Sequence, residues 1–229
     1  MASPETASGS GIPRGPRDTR RWYRHADALE QVDPSLVDFA AAHAGPRILD
    51  LGCGLGGYSK ALAGRGFDVT ALDVLPEYVE RARALGVDAE VYDGVTIPLP
   101  DASVDTVVMF EVLEHLERPA ELLREVRRVA RRNVLVSVPN CTQGFGDAPV
   151  DFTHMMEVDH KQFFTEESLR DLLDEVFGSS TVEQLMPVDL NLSAVLLPRP
   201  LRVLYRKLYE RGVIRPRLFF RLQGRAEVR

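Results

Sequence analysis

Apolar and polar segments alternate with two different spacings between residues 46 and 188. Short apolar runs rich in Val, Leu and Ile predict buried β-strands. Between them lie segments of about ten residues with apolar positions three and four apart, which predict amphipathic helices. The predicted strands cover residues 47–50, 67–72, 87–92, 104–110, 134–138 and 181–188. Because strands that alternate with such helices are joined by crossover connections, the pattern predicts a parallel sheet with helices on both faces.

The predicted helices of this region occupy residues 57–65, 76–85, 120–130 and 165–177. The last of them has the clearest ends. Thr165 is a favoured N-cap residue, Ser168 follows three positions later, and two glutamates in the first turn complement the helix dipole. Gly178 ends the same helix.

Two segments of different character precede this core. Residues 1–17 are rich in Ser, Gly, Pro and Thr and contain almost no large apolar side chain, so we expect a disordered leader. Residues 18–45 have apolar positions at helical spacing and predict two N-terminal helices. Pro34 suits the first turn of the second helix.

The C-terminal part combines an insertion with a last predicted strand. The insertion spans residues 189–216 and contains an amphipathic helix near residues 201–211, with Arg202, Arg206 and Lys207 on its basic side. Its apolar side carries Leu201, Leu204, Tyr205 and Leu208. Such a helix packs on the domain, covers a substrate or contacts a membrane surface. Residues 217–228 predict a final strand, and we expect residues 18–229 to form one domain.

The composition is that of a globular protein with an uneven charge. The chain has 229 residues, of which 45% are hydrophobic, and a net charge of −6, which argues against a general nucleic-acid binder. Residues 201–229 hold eight arginines and Lys207 against Glu210 and Glu227, a net charge of +7, so the first 200 residues carry −13. The basic segment indicates either an anionic partner or surface, or a solvated helix.

Cysteine content and hydropathy bear on localisation. Two cysteines, Cys53 and Cys141, cannot build a disulfide framework and fit a reducing compartment. Neither a signal peptide nor a run of about eighteen apolar residues is visible. We therefore expect a cytoplasmic protein, with peripheral membrane contact through residues 201–221 as a further hypothesis.

Glycines and acidic residues cluster at the ends of the first predicted strands. The first strand ends in Asp50 and runs into a loop with Gly52, Gly54 and Gly56, where the backbone can adopt left-handed conformations and approach a ligand closely. The acidic residues that follow the next three strands are Asp73, Asp93 and Glu111. Ligands bind at the carboxyl ends of strands in open α/β sheets, so these residues predict a cofactor site there. An acid directly before the loop would repel a pyrophosphate, which argues against a dinucleotide.

The succession of motifs resembles class I S-adenosylmethionine-dependent methyltransferases over roughly residues 46–188. The segments that carry this resemblance are Leu-Asp-Leu-Gly-Cys-Gly-x-Gly, Ala-Leu-Asp-Val-x-Pro-Glu, Tyr-Asp-Gly, Pro-Leu-Pro-Asp-x-Ser-Val-Asp and Glu-Val-Leu-Glu-His-Leu. The resemblance implies a Rossmann-like α/β fold with a seven-stranded, mostly parallel sheet, helices on both faces and an antiparallel final strand. It also implies S-adenosylmethionine as the cofactor.

The resemblance further implies roles for individual residues of the cofactor site. Asp50 would contact the amino group of the cofactor, Asp73 would accept hydrogen bonds from the ribose hydroxyls, and Asp93 would accept one from the adenine amine. Aliphatic Val74 and Leu75, together with Phe110, would enclose the adenine ring. The complete predicted set is Asp50, Gly52, Cys53, Gly54, Gly56, Asp73, Val74, Asp93, Gly94, Phe110 and Glu111.

The segment after strand four predicts the acceptor site. Glu111, Glu114 and His115 would face the transferred methyl group, and carboxylates with an imidazole suit a hard cation such as Mg²⁺ or Mn²⁺. This Glu-x-x-Glu-His pattern resembles two metal-using groups, the small-RNA 2′-O-methyltransferases and the ubiquinone-pathway O-methyltransferases. Both take a further histidine from the loop after strand five, where this chain has His154 and His160.

Two interpretations of this segment stay open. In the first, Glu111, Glu114, His115 and His160 bind a metal ion. In the second, no metal is bound and His115 or His160 acts as a general base. The candidate catalytic residues are therefore His115, His160 and Glu111.

The predicted function is O-methylation of a small-molecule acceptor that is phenolic, sugar-bearing or lipid-linked. The alternatives are C- or N-methylation of a small molecule, RNA 2′-O-methylation, and a cofactor-binding scaffold without catalysis. The charge of −13 on the first 200 residues argues against RNA. The intact strand-end acids argue against a scaffold that has lost catalysis.

Overall fold

The computed structural model describes residues 28–29, 32–141, 144–145, 148–149, 159–189, 199–211, 213 and 217–228. The strands are β1 (Arg47–Leu51), β2 (Asp68–Asp73), β3 (Asp88–Val91), β4 (Val104–Phe110), β5 (Ala130–Pro139), β6 (Gly144–Phe145), β7 (Ala148–Pro149), β8 (Ser180–Asp189) and β9 (Arg217–Glu227). The helices are α1 (Pro34–His43), α2 (Gly57–Gly64), α3 (Pro76–Ala84), α4 (Pro119–Val129), α5 (Glu166–Phe177) and α6 (Arg199–Glu210). A short 3-10 turn covers Leu113–His115.

Seven of these strands form one sheet in the order β3-β2-β1-β4-β5-β9-β8. Neighbours from β3 to β5 are parallel, and β9 is antiparallel to both β5 and β8. The predicted Rossmann-like sheet with its antiparallel final strand is therefore confirmed. Strands β6 and β7 form a separate short antiparallel pair.

Helices cover both faces of the sheet because the strands are apolar on both sides. On one face, alternate residues of the strands, such as Leu49 and Val107, pack against α4 and α5. On the other face, the intervening residues, such as Ile48 and Val108, pack against α1 and α2. Both surfaces of β1 and β4 are thus buried, and their polar carboxyl ends remain as the open edge of the sheet.

The helix ends follow the local signals in the sequence. The Thr165 side chain accepts a hydrogen bond from the Ser168 N–H, and the Ser168 hydroxyl accepts one from the Thr165 N–H, which makes a capping box. Gly178 ends α5 in a left-handed conformation with φ = 90°. Pro34 lies in the first turn of α1, and Asp33 caps that helix through the Ser35 N–H.

The main difference from the predicted elements is the start of β5. This strand begins at Ala130, directly after α4, whereas the apolar run predicted a start at 134. The polar residues Arg131, Arg132 and Asn133 concealed the first part of the strand. A register shift opposite Val104 and Thr106 accommodates an extra residue there.

Parts of the predicted organisation lie outside the described residues. These are the leader at 1–17, the first of the two N-terminal helices, and most of the loop after β5, including His154. None of the described helices is long and apolar enough to span a bilayer.

Candidate active site at the carboxyl ends of the strands

The loop after β1 adopts a conformation that requires glycine. Gly52, Gly54 and Gly56 all have positive φ, at 80°, 53° and 82°. At Gly52 a Cβ atom would lie 2.6 Å from a methyl group of Val112, so a side chain would be both strained and obstructed. The loop is therefore built to bring backbone N–H groups close to the end of the sheet.

Asp73 holds this loop in place. Its Oδ2 accepts a hydrogen bond from the Gly54 N–H at 2.8 Å, and its Oδ1 accepts one from the Leu75 N–H at 2.9 Å. Burial raises the pKa of Asp73, although these backbone donors oppose the rise. Each carboxylate oxygen keeps a second lone pair, so the residue can also accept hydrogen bonds from a ligand.

Asp50 is deeply buried, with 2% of its surface exposed. Its Oδ2 accepts a short hydrogen bond from the Ser59 hydroxyl on α2. Burial, aided by the nearby charge of Asp73, raises the pKa of Asp50 to about 6, although the hydrogen bond from Ser59 opposes the rise. A carboxylate that lacks solvent in this way is well suited to pair with a cationic amino group.

Apolar side chains lie exposed beyond the end of β2. Val74 and Leu75 remain 48% and 38% exposed, and the methyl group of Val74 faces Gly94 so closely that a Cβ there would lie 3.1 Å from it. Asp93 is exposed, and its Oδ1 accepts hydrogen bonds from the N–H groups of Val95 and Thr96, which lower its pKa. This surface has the chemistry to receive a flat apolar ring with a polar edge.

Phe110 does not join this surface. Its ring packs edge-on against Tyr58, with the centroids 5.1 Å apart, and it is buried among residues of α1 and α2. Strand β1 separates β4, which carries Phe110, from β2, which leads to Val74. Phe110 and Val74 are therefore two strand spacings, about 10 Å, apart. The prediction that Phe110 encloses the adenine together with Val74 is wrong for this reason.

Glu111 follows β4 in a strained left-handed conformation, with φ = 57°. Its Oε1 accepts a hydrogen bond from the Ser137 hydroxyl at 2.8 Å and lies 3.1 Å from Nε of Arg221. Arg221 also pairs with Asp33 at the start of α1, at 2.7 Å. Glu111 thus belongs to a network of hydrogen bonds and ion pairs that joins β4, β5, β9 and the start of α1.

A second polar cluster lies one turn further along the chain. Glu114, His115 and His160 each offer one ligand atom, and these atoms lie within 4.8 Å of one another. Glu114 is 1% exposed, and its carbonyl oxygen accepts hydrogen bonds from the N–H groups of Lys161 and Gln162. These backbone bonds dock the segment that carries His160 beside the turn. Three of the four predicted metal ligands are thus brought together, whereas Glu111 is not part of this cluster.

His115 is oriented by Asp159. Its Nδ1 lies 3.3 Å from the carbonyl oxygen and 3.8 Å from Oδ2 of that residue. The His115 and His160 rings meet edge to face with centroids 4.8 Å apart. A hydrogen atom on Nδ1 would be donated to the Asp159 carbonyl oxygen, and in that tautomer Nε2 is the basic nitrogen of the ring.

Neither cysteine has the properties of a reactive thiol. Burial raises the pKa of Cys53 well above its usual range. Burial also raises the pKa of Cys141 to about 11, and the charge of Glu114 adds to this rise. Cys53 lies within the glycine loop and is buried there.

The sequence alone did not identify five residues that complete the site: Asp33, Tyr58, Ser59, Ser137 and Arg221. Tyr58 accepts a hydrogen bond from the Asp33 N–H at 3.2 Å. Ser59 could have been suspected, because it lies nine residues after Asp50, in the first turn of the helix that follows the glycine loop. Ser137 and Arg221 come near each other only through the register of β5 and β9.

Comparisons with known sequences agree with this geometry. Residues 49–138 match the family model described as a methyltransferase domain. A ubiquinone biosynthesis O-methyltransferase of Xanthomonas oryzae pv. oryzae (strain PXO99A) is 33% identical over 125 residues, which are 48% of this chain and 52% of that protein. A probable S-adenosylmethionine-dependent methyltransferase of Mycolicibacterium smegmatis is 33% identical over 151 residues, which are 61% of this chain and 56% of that protein. The chain thus spans just over half the length of these curated relatives.

Solved structures share the fold at lower identity. A SAM dependent methyltransferase from Archaeoglobus fulgidus aligns over 91% of this chain and 97% of its own, with a TM-score of 0.66 and 18% identity. Magnesium protoporphyrin IX methyltransferase from Synechocystis PCC 6803, solved with bound SAH, aligns over 92% of this chain and 94% of its own, with a TM-score of 0.60 and 17% identity. Sequence, sheet order and family match agree: residues 49–138 match a methyltransferase domain, and the chain has the fold of these solved methyltransferases.

Proposed function

We propose that the chain transfers the methyl group of S-adenosylmethionine to an oxygen atom of a small-molecule acceptor. The observation that carries this proposal is the cluster of Glu114, His115 and His160 at the end of β4, next to the strand that bears Asp50. A hydroxyl acceptor must lose its proton during transfer, and this cluster provides imidazoles at that place. The O-methyltransferase named among the relatives, 33% identical over about half of this chain, supports the same reaction.

In this proposal the cofactor lies along the edge formed by β1, β2 and β3. Asp50 pairs with the amino group of the methionine part, and the glycine loop curves around that part. Asp73 accepts hydrogen bonds from the ribose hydroxyls through the lone pairs that the loop leaves unused. Val74, Leu75 and Gly94 cover the adenine, and Asp93 accepts from its amino group.

His115 is the proposed general base. Asp159 holds Nδ1, so Nε2 takes the proton of the acceptor hydroxyl as the oxygen attacks the methyl carbon. The bond from that carbon to the sulfonium sulfur breaks, its electron pair stays on sulfur, and S-adenosylhomocysteine leaves as a neutral thioether. Asp159 stabilises the imidazolium that forms, because a carboxylate favours the protonated ring.

The same cluster fits a divalent cation after a small contraction. Two ligands bound at about 2.1 Å lie at most about 4.2 Å apart, so the 4.8 Å spread of the ligand atoms must close by roughly half an ångström. Two imidazoles beside one carboxylate suit Mn²⁺ better than Mg²⁺. Such an ion would lower the pKa of the acceptor hydroxyl, and Glu114, His115 and His160 would hold it.

Calorimetric titration of Mn²⁺ and Mg²⁺ into protein saturated with S-adenosylhomocysteine separates the two modes. One-to-one binding that is lost in Glu114→Gln and His160→Ala, but kept in the control His43→Ala on α1, would assign the cluster to a metal-assisted reaction. Absence of metal binding would leave His115 as the base. A native chain that fails to bind S-adenosylhomocysteine at all would overturn the proposed function.

A further inference from the structure

Helix α6 exposes apolar side chains that a helix of a folded domain normally buries. Leu201 and Leu204 are 49% and 54% exposed, and they lie on the same side of the helix as Tyr205 and Leu208. Val203 is 50% exposed as well, but its position places it on the opposite side. The helix therefore presents an apolar stripe to its surroundings, which we call the α6 stripe and define as Leu201, Leu204, Tyr205 and Leu208.

The α6 stripe is surrounded by positive charge. Residues 199–217 contain seven arginine and lysine residues and one acidic residue, Glu210. The exposed members of this set that flank the stripe include Arg206, Lys207 and Arg211. The first 200 residues carry a net charge of −13, so this cationic region is a local exception on an acidic protein.

Topology places α6 at the same end of the molecule as the candidate active site. The last residue of β8, Asp189, pairs with the first residue of β9, Arg217, whereas the end of β5, Pro139, pairs with Arg221. The β8–β9 pair thus continues four residues, about 13 Å, beyond the carboxyl end of β5. The connection that carries α6 leaves β8 and enters β9 at this extension, at the same end of the sheet as Asp50, Glu111 and Glu114.

We propose that α6 is an interfacial helix that docks this end of the domain on an anionic lipid bilayer. The stripe inserts among the headgroups and acyl boundary, and the flanking cations pair with anionic lipids. A nucleic acid would use the cations but would leave the leucines exposed, so the combination favours a bilayer. Resting on the proposed function, the inference also assigns the acceptor to a hydroxyl-bearing amphiphile that resides in the membrane.

The test is flotation of the full chain with vesicles of phosphatidylcholine, with and without phosphatidylglycerol, and without any methyl acceptor. We expect binding to the anionic vesicles to be tighter by more than about tenfold and to weaken as salt is added. Leu204→Asp should reduce that binding about tenfold or more, because it places a charge in the apolar layer. Val203→Asp, an equal change on the opposite side of the same helix, is the matched control and should reduce it far less.

A second pair of variants tests the charges. Replacement of Arg206 and Lys207 by alanine should weaken anionic binding, whereas replacement of two exposed arginines, Arg118 before α4 and Arg124 on α4, should not. The proposal would be overturned if the protein bound neither vesicle type or bound both equally well. It would also be overturned if Leu204→Asp and Val203→Asp had equal effects, or if the protein bound a short RNA in place of vesicles. S-adenosylhomocysteine affinity, measured on the same variants, shows separately whether the methyltransferase proposal stands.

Discussion

Asp50 is the residue at which burial and ligand chemistry are most directly linked. Its pKa of about 6 lies above the usual 3.8 because burial disfavours the charged carboxylate. Between pH 4 and 6 the folded protein therefore keeps a proton on Asp50 that the unfolded chain has already released. The free energy of unfolding falls as pH rises through that window, by up to about 3 kcal/mol. Pairing with the cationic amino group of the cofactor would offset part of the free energy that ionisation of the buried Asp50 costs.

From this follows a prediction for ligand binding. The affinity for S-adenosylhomocysteine should rise about tenfold from pH 5 to pH 7, because only the ionised Asp50 pairs with the amino group. Calorimetric titrations across this range measure the effect. In Asp50→Asn both the affinity and its pH dependence should be lost, and a variant that keeps the same slope would show that another group controls binding.

Gly52 and Gly64 provide a matched pair of glycine substitutions. Gly52→Ala should destabilise the fold by about 1 to 3 kcal/mol and abolish cofactor binding, because φ is +80° and the new Cβ would meet Val112 at 2.6 Å. Gly64→Ala should be neutral or stabilising by up to about 1 kcal/mol, because this helical position has open space around it. Chemical denaturation compares the two, and equal losses would contradict the tight loop described for Gly52.

At the scale of elements, β9 connects the candidate site to the N-terminal part of the chain. Arg221 and Arg225 are four residues apart and therefore lie on one face of this strand. Arg221 pairs with Asp33 at the start of α1, and Arg225 lies 2.7 Å from His43 at its end. The strand thus holds α1 at both of its ends.

Replacement of Arg221 and replacement of Arg225 should differ in their effect on stability and on cofactor binding. Arg221→Gln is expected to destabilise the protein by about 2 kcal/mol and to weaken cofactor binding, because it leaves the partly buried Glu111 without its cation. Arg225→Gln should cost less than about 1 kcal/mol, because its ion-pair partner Glu227 is half exposed and a glutamine amide can still donate a hydrogen bond to His43. Denaturation midpoints and calorimetry on both variants test this, and a larger loss for Arg225→Gln would show that the Glu111 pair is not the important one.

The elements also show what a sequence can reveal. The cap at Thr165 and the glycine at 178 are local signals, and the structure confirms both. The pairing of Glu111 with Arg221 joins residues 110 positions apart through the register of β5 and β9, which no local pattern encodes. Polar residues concealed the start of β5 because Arg131 and Arg132 are exposed, whereas the buried Asn133 is hydrogen-bonded to Thr106 and to the His43 carbonyl.

At the scale of the molecule, ligand-binding features collect on one edge of the sheet. The acids predicted from the sequence lie there because parallel strands place their carboxyl ends together, so that part of the site could be predicted. The separation of Glu111 from Glu114, His115 and His160 could not, since it depends on a left-handed backbone at Glu111. The cationic α6 region extends beyond the same edge.

The most direct test of the account is to follow a ¹³C-labelled methyl group from S-adenosylmethionine into a panel of phenols, catechols and amines. Carbon NMR of the products identifies the atom that receives the label. We predict a methyl ether of a hydroxyl acceptor and at least about a hundredfold slower transfer by His115→Gln, which keeps the cofactor site but lacks the base. A label on nitrogen or carbon, or a product formed equally fast by His115→Gln, would contradict the account.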